Sequence, residues 1–330
     1  MREVALRALL GLERTAASIR GAKRTPAVIE PYMGYTTPEG TVLRGRVLSR
    51  NRPLWKERTS SRWRNFKAMV GLFRTSEVAY AEVSALGQTT TCDDEGYFRF
   101  LLTGQHRQVE VKSGKARAIC TAQLPDPEAR FVIISDIDDT LIKTGADQLL
   151  TNLWTSMTGN AATRLAFDDA IALMASLREG ERNPAFLVSS SPWNLYGFLR
   201  HIFDRFELPH APMFLRDYGL GPDQLITGTH GDHKGQAIDK IMAANPGLPV
   251  VCMGDTGQHD AAVYADAAQR HPGRIHAVFL REAADGTGPE DRKYLDQLNE
   301  MGITTRADAS FDAARAHFEE QGLSPPQAKA

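Results

Sequence analysis

Hydrophobic and polar positions change rhythm once along the chain. Between residues 41 and 123, apolar and polar residues alternate in short runs at 41–48, 77–86, 96–103, 108–112 and 116–122, separated by turn-forming residues. A period of two is the pattern of half-buried strands, and it predicts a small all-β sandwich domain over 39–125. A Pro/Gly-rich connector at 31–40 leads into it, and the stretch 1–38 reads as a basic amphipathic N-terminal segment. The run Leu124-Pro125-Asp126-Pro127 marks a boundary. Beyond it, continuous apolar runs at 131–135, 185–189, 213–216, 250–253 and 275–280 alternate with helix-period stretches at about 163–179, 192–206, 234–243, 260–270 and 309–321. This βα alternation predicts an α/β fold over 126–323, a doubly wound parallel sheet with its site at the carboxyl ends of the strands. Residues 324–330 are read as a tail.

Composition narrows the class. With 330 residues, 42% of them hydrophobic and 24% charged, the chain is neither disordered nor fibrous. No apolar run approaches the roughly 20 residues of a membrane span. Three cysteines, Cys92, Cys120 and Cys252, are too few for a disulfide framework; a Cys92–Cys120 bridge is conceivable, but buried free thiols in a reducing compartment are the better reading. The expected location is cytoplasmic.

Charge is distributed unevenly. The net charge of −1 conceals 22 Lys/Arg against 13 Asp/Glu in residues 1–130, and the reverse imbalance after them. Residues 44–74 hold ten basic side chains and one acid, Glu57, with Trp55, Trp63, Phe66 and Phe73 interleaved. Amphipathic aromatics among cations suit an anionic surface, but a solvated face of the β-domain is the simpler reading. Near the start, Val4, Leu6, Leu9, Leu10 and Leu12 among Arg2, Arg7, Arg14 and Arg20 pattern as a basic amphipathic helix, for which packing on the protein itself is the simpler role.

Four strand ends carry candidate chemistry. The strand at 131–134 empties into Ser135-Asp136-Ile137-Asp138-Asp139-Thr140, where alternation puts Asp136 and Asp138 on one side. Buried carboxylates need a cation, and such hard oxygens suit Mg²⁺. The run Phe186-Leu187-Val188 ends in Ser189-Ser190-Ser191-Pro192-Trp193, and Ser191 followed by Pro192 is an N-cap and N1 pair that predicts a helix start able to receive phosphate oxygens. His233-Lys234-Gly235 opens a helix, placing a point charge that could offset a phosphate or a carboxylate. Val250-Val251-Cys252-Met253 leads into Gly254-Asp255-Thr256-Gly257-Gln258-His259-Asp260. A turn or a plain cap accounts for each piece singly; their order and shared strand-end placement do not reduce to that. His230, His233 and His259 raise zinc as an option, but the surrounding carboxylates favour a harder ion.

In that order the motifs resemble the haloacid-dehalogenase-like (HAD) phosphohydrolase superfamily: Asp136-x-Asp138-x-Thr140, Ser189, Lys234, and Gly254-Asp255 through Asp260. The fuller strings around them are similar to the actin-patch-type phosphatidate phosphatase catalytic domain, over about 126–323. Separately, the acidic turn and aromatic strand from Thr91 to Phe100 resemble transthyretin-like sandwiches over a few residues. The first resemblance implies Asp136 as nucleophile and Asp138 as acid and base. It implies Ser189 and Lys234 as supports of the transferring phosphoryl group, and Thr140, Ser190 and Ser191 at the substrate. It also implies Mg²⁺ held by Asp136, Asp138 through its carbonyl, Asp255 and, directly or through water, Asp260. Asp139, Asp232 and Asp266 are read as surface or supporting residues.

The spacing of 53 positions from Asp136 to Ser189 and 45 from there to Lys234 leaves no room for a large cap domain, so the site is expected to be uncapped and open to bulky substrates. The expected activity is therefore a Mg²⁺-dependent phosphomonoesterase acting on phosphatidate or a related phospholipid, at an anionic membrane surface engaged through 44–74. Two alternatives stay open: a phosphatase for phosphoprotein or polynucleotide ends, or a non-catalytic phosphatase-like binding module. Nucleic acid is not the expected partner, and the oligomeric state is open.

Overall fold

A computed structural model describes residues 25–50, 77–143, 166–216 and 230–323, the side chains of 230–232 excepted. The N-terminal amphipathic stretch, the basic-aromatic residues from 51 onward and the tail 324–330 lie outside the described residues. The chain forms two compact units, Met1–Gln123 and Leu124–Ala330.

The first unit is one seven-stranded sheet: β1 (Val28–Thr37), β2 (Gly40–Leu48), β3 (Glu82–Ala85), β4 (Gln88–Thr91), β5 (Tyr97–Leu102), β6 (Gln108–Ser113) and β7 (Ala116–Gln123), in the order β4-β3-β6-β7-β1-β2-β5. The sandwich expected from the alternation is thus corrected to a single barrel-like sheet. Its two outer strands, β4 and β5, are consecutive in the chain and linked by a short turn in which Asp93 Oδ1 accepts from the amides of Glu95 and Tyr97. Alternation of inward and outward residues is common to sandwiches and barrels, so it does not separate them. What joins the halves is β1, antiparallel to β2 and parallel to β7 through Gly34 and Tyr35, with a bulge between Tyr32 and Tyr35 that bends the strand. Gly34 is required there, because a Cβ would sit 2.2 Å from the Val42 carbonyl oxygen.

The connector predicted at 31–40 is therefore mostly strand. Pro31 is tolerated because at that position β1 has a ladder partner, Gly45, on the β2 side, while its pairing with β7 begins only at Gly34. The barrel interior holds Leu43, Val47, Val83, Phe98, Phe100, Leu102, Val111 and Cys120. Arg46, read from sequence as part of a surface charge run, is instead buried. It donates to Glu77 Oε1 at 2.9 Å and the Glu95 carbonyl at 2.8 Å, and lies 4.3 Å over the Tyr97 ring.

The second unit is a six-stranded parallel sheet: β8 (Val132–Asp136), β9 (Ala185–Pro192), β10 (Met213–Arg216), β11 (Val250–Asp255), β12 (Ile275–Arg281) and β13 (Thr304–Asp308), in the order β10-β9-β8-β11-β12-β13. Its described helices are α1 (Asp168–Arg178), α2 (Tyr196–Arg205), α3 (His230–Ala244), α4 (Asp260–Arg270), α5 (Pro289–Glu300) and α6 (Asp312–Gln321). Every residue of β8 and β11 is buried, the continuous run that a strand covered on both faces requires. The chain moves outward from β8 through β9 to β10, then returns to β11 on the other side of β8. The reversal point between β8 and β11 leaves a crevice at their carboxyl ends, where ligands bind in open α/β sheets.

Two elements of this unit escaped the sequence pattern. The edge strand β13 is half-buried throughout and carries no apolar run, and α5 buries Leu298 alone. A third element starts later than predicted. β9 runs on through Pro192, a short 3-10 turn at Trp193–Leu195 follows, and α2 begins at Tyr196. Ser191 is therefore not a helix cap; its hydroxyl turns to Asp138 Oδ2 at 3.3 Å.

Candidate active site

The carboxyl end of β8 delivers Asp136, and the tight loop after it delivers Asp138 and Thr140. The loop closes because Leu141 and Ile142 both donate to the Ile137 carbonyl and Asp139 turns through φ 58°. β11 delivers Asp255, and α4 begins with Asp260. Asp260 folds back so that its Oδ2 accepts the Asp255 amide at 3.1 Å. Gly254 makes this possible: a Cβ there would stand 2.6 Å from Asp260 Oδ2 and 2.9 Å from the Tyr264 ring. Tyr264 donates to the Met253 carbonyl at 2.7 Å, fixing the strand end from behind.

Lys234, in the first turns of α3, lies between a carboxylate at the end of β8 and one at the start of α4. Its Nζ is 2.7 Å from Asp136 Oδ1 and 2.5 Å from Asp260 Oδ1. On the β9 side, Ser189 Oγ donates to Asp138 Oδ2 at 2.6 Å and accepts the Ser191 amide at 2.9 Å. Thus Asp136, Asp138, Ser189, Ser191, Lys234, Asp255 and Asp260 converge at the switch point. Thr140 is buried beside them with an unpartnered hydroxyl, and Ser190 lines an adjoining cleft of about 850 Å³ together with Lys234, Gln258 and His259. The amide and hydroxyl of Ser191, expected at the substrate, are both engaged by the site itself.

The electrostatics are unbalanced. Four buried carboxylates (Asp136, Asp138, Asp255 and Asp260) surround one buried ammonium, Lys234. Burial holds Asp136 well above the ordinary carboxyl range, with Lys234 opposing and the other acids adding to the rise. Burial and the neighbouring Asp260 push Asp255 up to about 8. Asp138 is raised by burial too, against the pull of the Ser189 hydroxyl. Burial acts to lower the Lys234 ammonium, but Asp136 and Asp260 outweigh it and keep the amine charged. Carboxylate oxygens of Asp136, Asp255 and Asp260 lie within 4.8 Å of one another, a geometry that could hold a metal ion. Oδ2 of Asp136 and Oδ2 of Asp255 are buried without a hydrogen-bond partner. A buried acidic triad with orphaned hard oxygens fits a divalent cation.

Among the described side chains, His233 and His259 do not join this cluster. Burial, with Arg216 and Lys240 nearby, pulls His233 down to about 4, and His259 caps α4 in a left-handed turn. The side chains of His230 and Asp232 lie outside the described residues. Asp266 pairs with Arg270 on the surface. Two residues without a sequence-derived role belong here. Gln258 Nε2 donates to the Asp138 carbonyl at 2.9 Å, and Tyr264 holds the end of β11. Their signal was positional: Gln258 stands inside the Gly254–Asp260 string and Tyr264 one helical turn beyond it.

Residues 131–282, from the start of β8 to just past β12, match the family described as phosphatidate phosphatase APP1, catalytic domain. Every site residue named above falls within the matched stretch. The chain is 25% identical to phosphatidate phosphatase APP1 of Saccharomyces cerevisiae over 172 residues, covering 51% of this chain and 29% of that protein. It is 29% identical to an uncharacterized protein of Schizosaccharomyces pombe over 160 residues, covering 46% of this chain and 25% of that one. The chain therefore spans under a third of the length of these curated relatives.

Proposed function

We propose that the chain is a divalent-cation-dependent phosphomonoesterase with an uncapped HAD-like domain over about 126–323, following a β-domain over 39–125. The observation that carries this reading is the charge imbalance at the switch point: four buried carboxylates against Lys234, with Asp136 Oδ2 and Asp255 Oδ2 unpartnered. A structural ion pair has no use for the surplus, whereas a site that binds a cation and then a phosphate does. The match of 131–282 to the phosphatidate phosphatase catalytic-domain family supports it, and so does the name of the Saccharomyces relative.

Asp136, Asp255 and the Asp138 carbonyl are the groups that would hold Mg²⁺, with Asp260 in support. When bound, the ion supplies positive charge that lets a carboxylate approach a phosphate dianion. The remaining chemistry belongs to the protein. An Asp136 oxygen attacks phosphorus in line, the bond from phosphorus to the leaving oxygen breaks, and an aspartyl-phosphate forms. Asp138, whose carboxyl burial raises above its ordinary range, gives its proton to the leaving oxygen. In the second half it accepts a proton from the water that attacks phosphorus, releasing phosphate and restoring the Asp136 carboxylate. Lys234 neutralises charge between nucleophile and phosphoryl group. Ser189 holds Asp138 at 2.6 Å and so fixes its direction. Thr140 and Ser190 are the groups that would receive phosphoryl oxygens.

The preferred substrate is phosphatidate or a related phospholipid, reached at an anionic membrane surface through residues 44–74. Of the basic residues in that run, Arg46 is withdrawn into the β-domain, which leaves docking to the others. The polar lining of the cleft (Gln236, Asp239, Gln258, Gln269, Gln297) favours, as a second reading, a hydrophilic ester such as a phosphoprotein or a polynucleotide end. The test is Mg²⁺-dependent phosphate release from phosphatidate in mixed micelles, compared with a phosphopeptide, a 5′-phosphorylated oligonucleotide and a soluble aryl phosphate, with Asp136→Asn as control. Release from none of them, or equal release by the control, overturns the enzymatic reading. Replacing Arg58, Arg62, Arg64 and Lys67 together should weaken binding to anionic vesicles; unchanged binding removes the docking proposal.

A further inference from the structure

Pairing between β8 and β11 ends at Ser135 and Met253. Beyond these the two strand ends part into the loops 136–142 and 254–260, which carry the acid and the metal-facing carboxylates. Gln258 spans the gap. Its Nε2 donates to the Asp138 carbonyl at 2.9 Å and lies 3.5 Å from Asp139 Oδ2. The residues that follow the two ends of this bond, Asp139 and His259, are both non-glycine residues in the left-handed region, with φ of 58° and 64°. Such conformations persist where the surroundings over-determine them, and they gather at functional sites. Each has a structural consequence here. The turn at Asp139 lets its amide reach the Ile142 carbonyl at 2.7 Å, and the turn at His259 starts α4 and places Asp260.

Asp138 is thereby gripped from two sides. Ser189 and Ser191 on β9 hold its carboxylate, and Gln258 on the β11 side holds its main chain. We infer that Gln258 is a positioning residue for the Asp138 acid–base, a spacer that sets the Asp138 loop against the Asp255–Asp260 loop. The inference rests on the phosphatase reading above for its catalytic meaning, but the cross-link stands on geometry alone. Proton transfer needs the acid within hydrogen-bond reach of the leaving oxygen, and a misplacement of about 1 Å costs on the order of 100-fold. Glutamate at 258 keeps the length of the side chain while replacing the donor with an acceptor. It faces the Asp138 carbonyl and the Asp139 carboxylate, both of which repel it.

The test uses the full chain with Gln258→Glu, Gln258→Ala, and Gln258→Glu combined with Asp139→Asn. Two quantities are read: kcat and KM on an aryl phosphate with Mg²⁺, and amide hydrogen exchange of 136–142 without added metal. The expected result for Gln258→Glu is a kcat lower by about 10- to 100-fold with KM within about threefold, faster exchange in 136–142, and unchanged exchange in 131–135. The double variant should recover several-fold of the lost kcat, because a neutral amide at position 139 no longer repels the new carboxylate. Should Gln258→Glu fold poorly, Gln258→Asn, which keeps the donor but shortens its reach, is expected to show the same split. A kcat near wild type with unaltered exchange overturns the inference, as does a change in KM alone. Absence of phosphate release from the wild type would sink the phosphatase reading instead, and hydrogen exchange would then decide the cross-link by itself.

Discussion

At the scale of single residues, the site depends on groups that cannot be changed without a stated consequence. Asp136→Asn removes the oxygen proposed to attack phosphorus and one of four crowded buried carboxyl groups. Phosphate release should fall by roughly 1,000-fold or more, while the melting temperature of the metal-free protein holds or rises, since like-charge repulsion is relieved. Gly254→Ala acts in the opposite sense on stability. The new methyl must push Asp260 aside, so a loss of about 1–3 kcal/mol in urea unfolding should accompany loss of activity. Ser189→Ala strips the 2.6 Å bond from Asp138 and orphans the Ser191 amide. A cost of about 1–3 kcal/mol is expected, with a kcat reduced more than KM is changed. The carboxylates, the serines and Lys234 were all legible in the sequence, because each ends an apolar strand or opens a helix. Gln258 was not, since its partner is a carbonyl oxygen 120 residues away and a main-chain acceptor leaves no mark on composition.

Among the elements, those with strong periodicity were read closely and those shaped by neighbours were not. α4 at Asp260–Arg270 and β10 at Met213–Arg216 coincide with their predicted spans. β1 was hidden by Pro31 and Gly34, residues that break a pattern yet are required where β1 crosses between β2 and β7. β13 and α5 stayed hidden because an outer strand and a mostly exposed helix bury too little to impose a rhythm. Arg46 shows the same limit on charge. In the sequence it is one of ten cations in a run, and in the fold it is a buried ion-pair member joining β2 to Glu77 and the Glu95 carbonyl. Replacing it with Ala takes the guanidinium away from the largely buried Glu77 and from the Glu95 carbonyl. The β-domain should lose about 3–5 kcal/mol, seen as a lower urea midpoint, whereas removing an exposed cation such as Arg50 should change it by less than about 0.5 kcal/mol.

For the whole molecule, the prediction concerns pH and metal. Asp136 and Asp255 have folded-state values raised above the ordinary carboxyl range, Asp255 to about 8. Below about pH 4 the carboxyls are protonated in both folded and unfolded chains, and no penalty applies. As pH rises from there, the unfolded chain ionises first, so the metal-free protein should lose stability progressively up to about pH 8. Lys234 does not offset this slope, because its amine stays charged across the window. A cation seated among the carboxylates reverses the balance, so Mg²⁺ should raise the melting temperature far more at pH 8 than at pH 5. A Mg²⁺ effect of equal size at both values, or none, would count against the acidic triad as a cation site.

The sequence alone determined that a βα-alternating unit follows a β-rich one, and that carboxylates, hydroxyls and a lysine lie at strand ends. Both follow from local periodicity, which backbone geometry dictates residue by residue. Tertiary structure alone decided that the first unit closes as a barrel-like sheet, that Arg46 turns inward, and that Ser191 serves Asp138 rather than a helix. It also decided that Gln258 bridges two loops. These outcomes depend on which strands become neighbours, and pairing between segments far apart in the chain is set by the packing of the whole rather than by the pattern of any part.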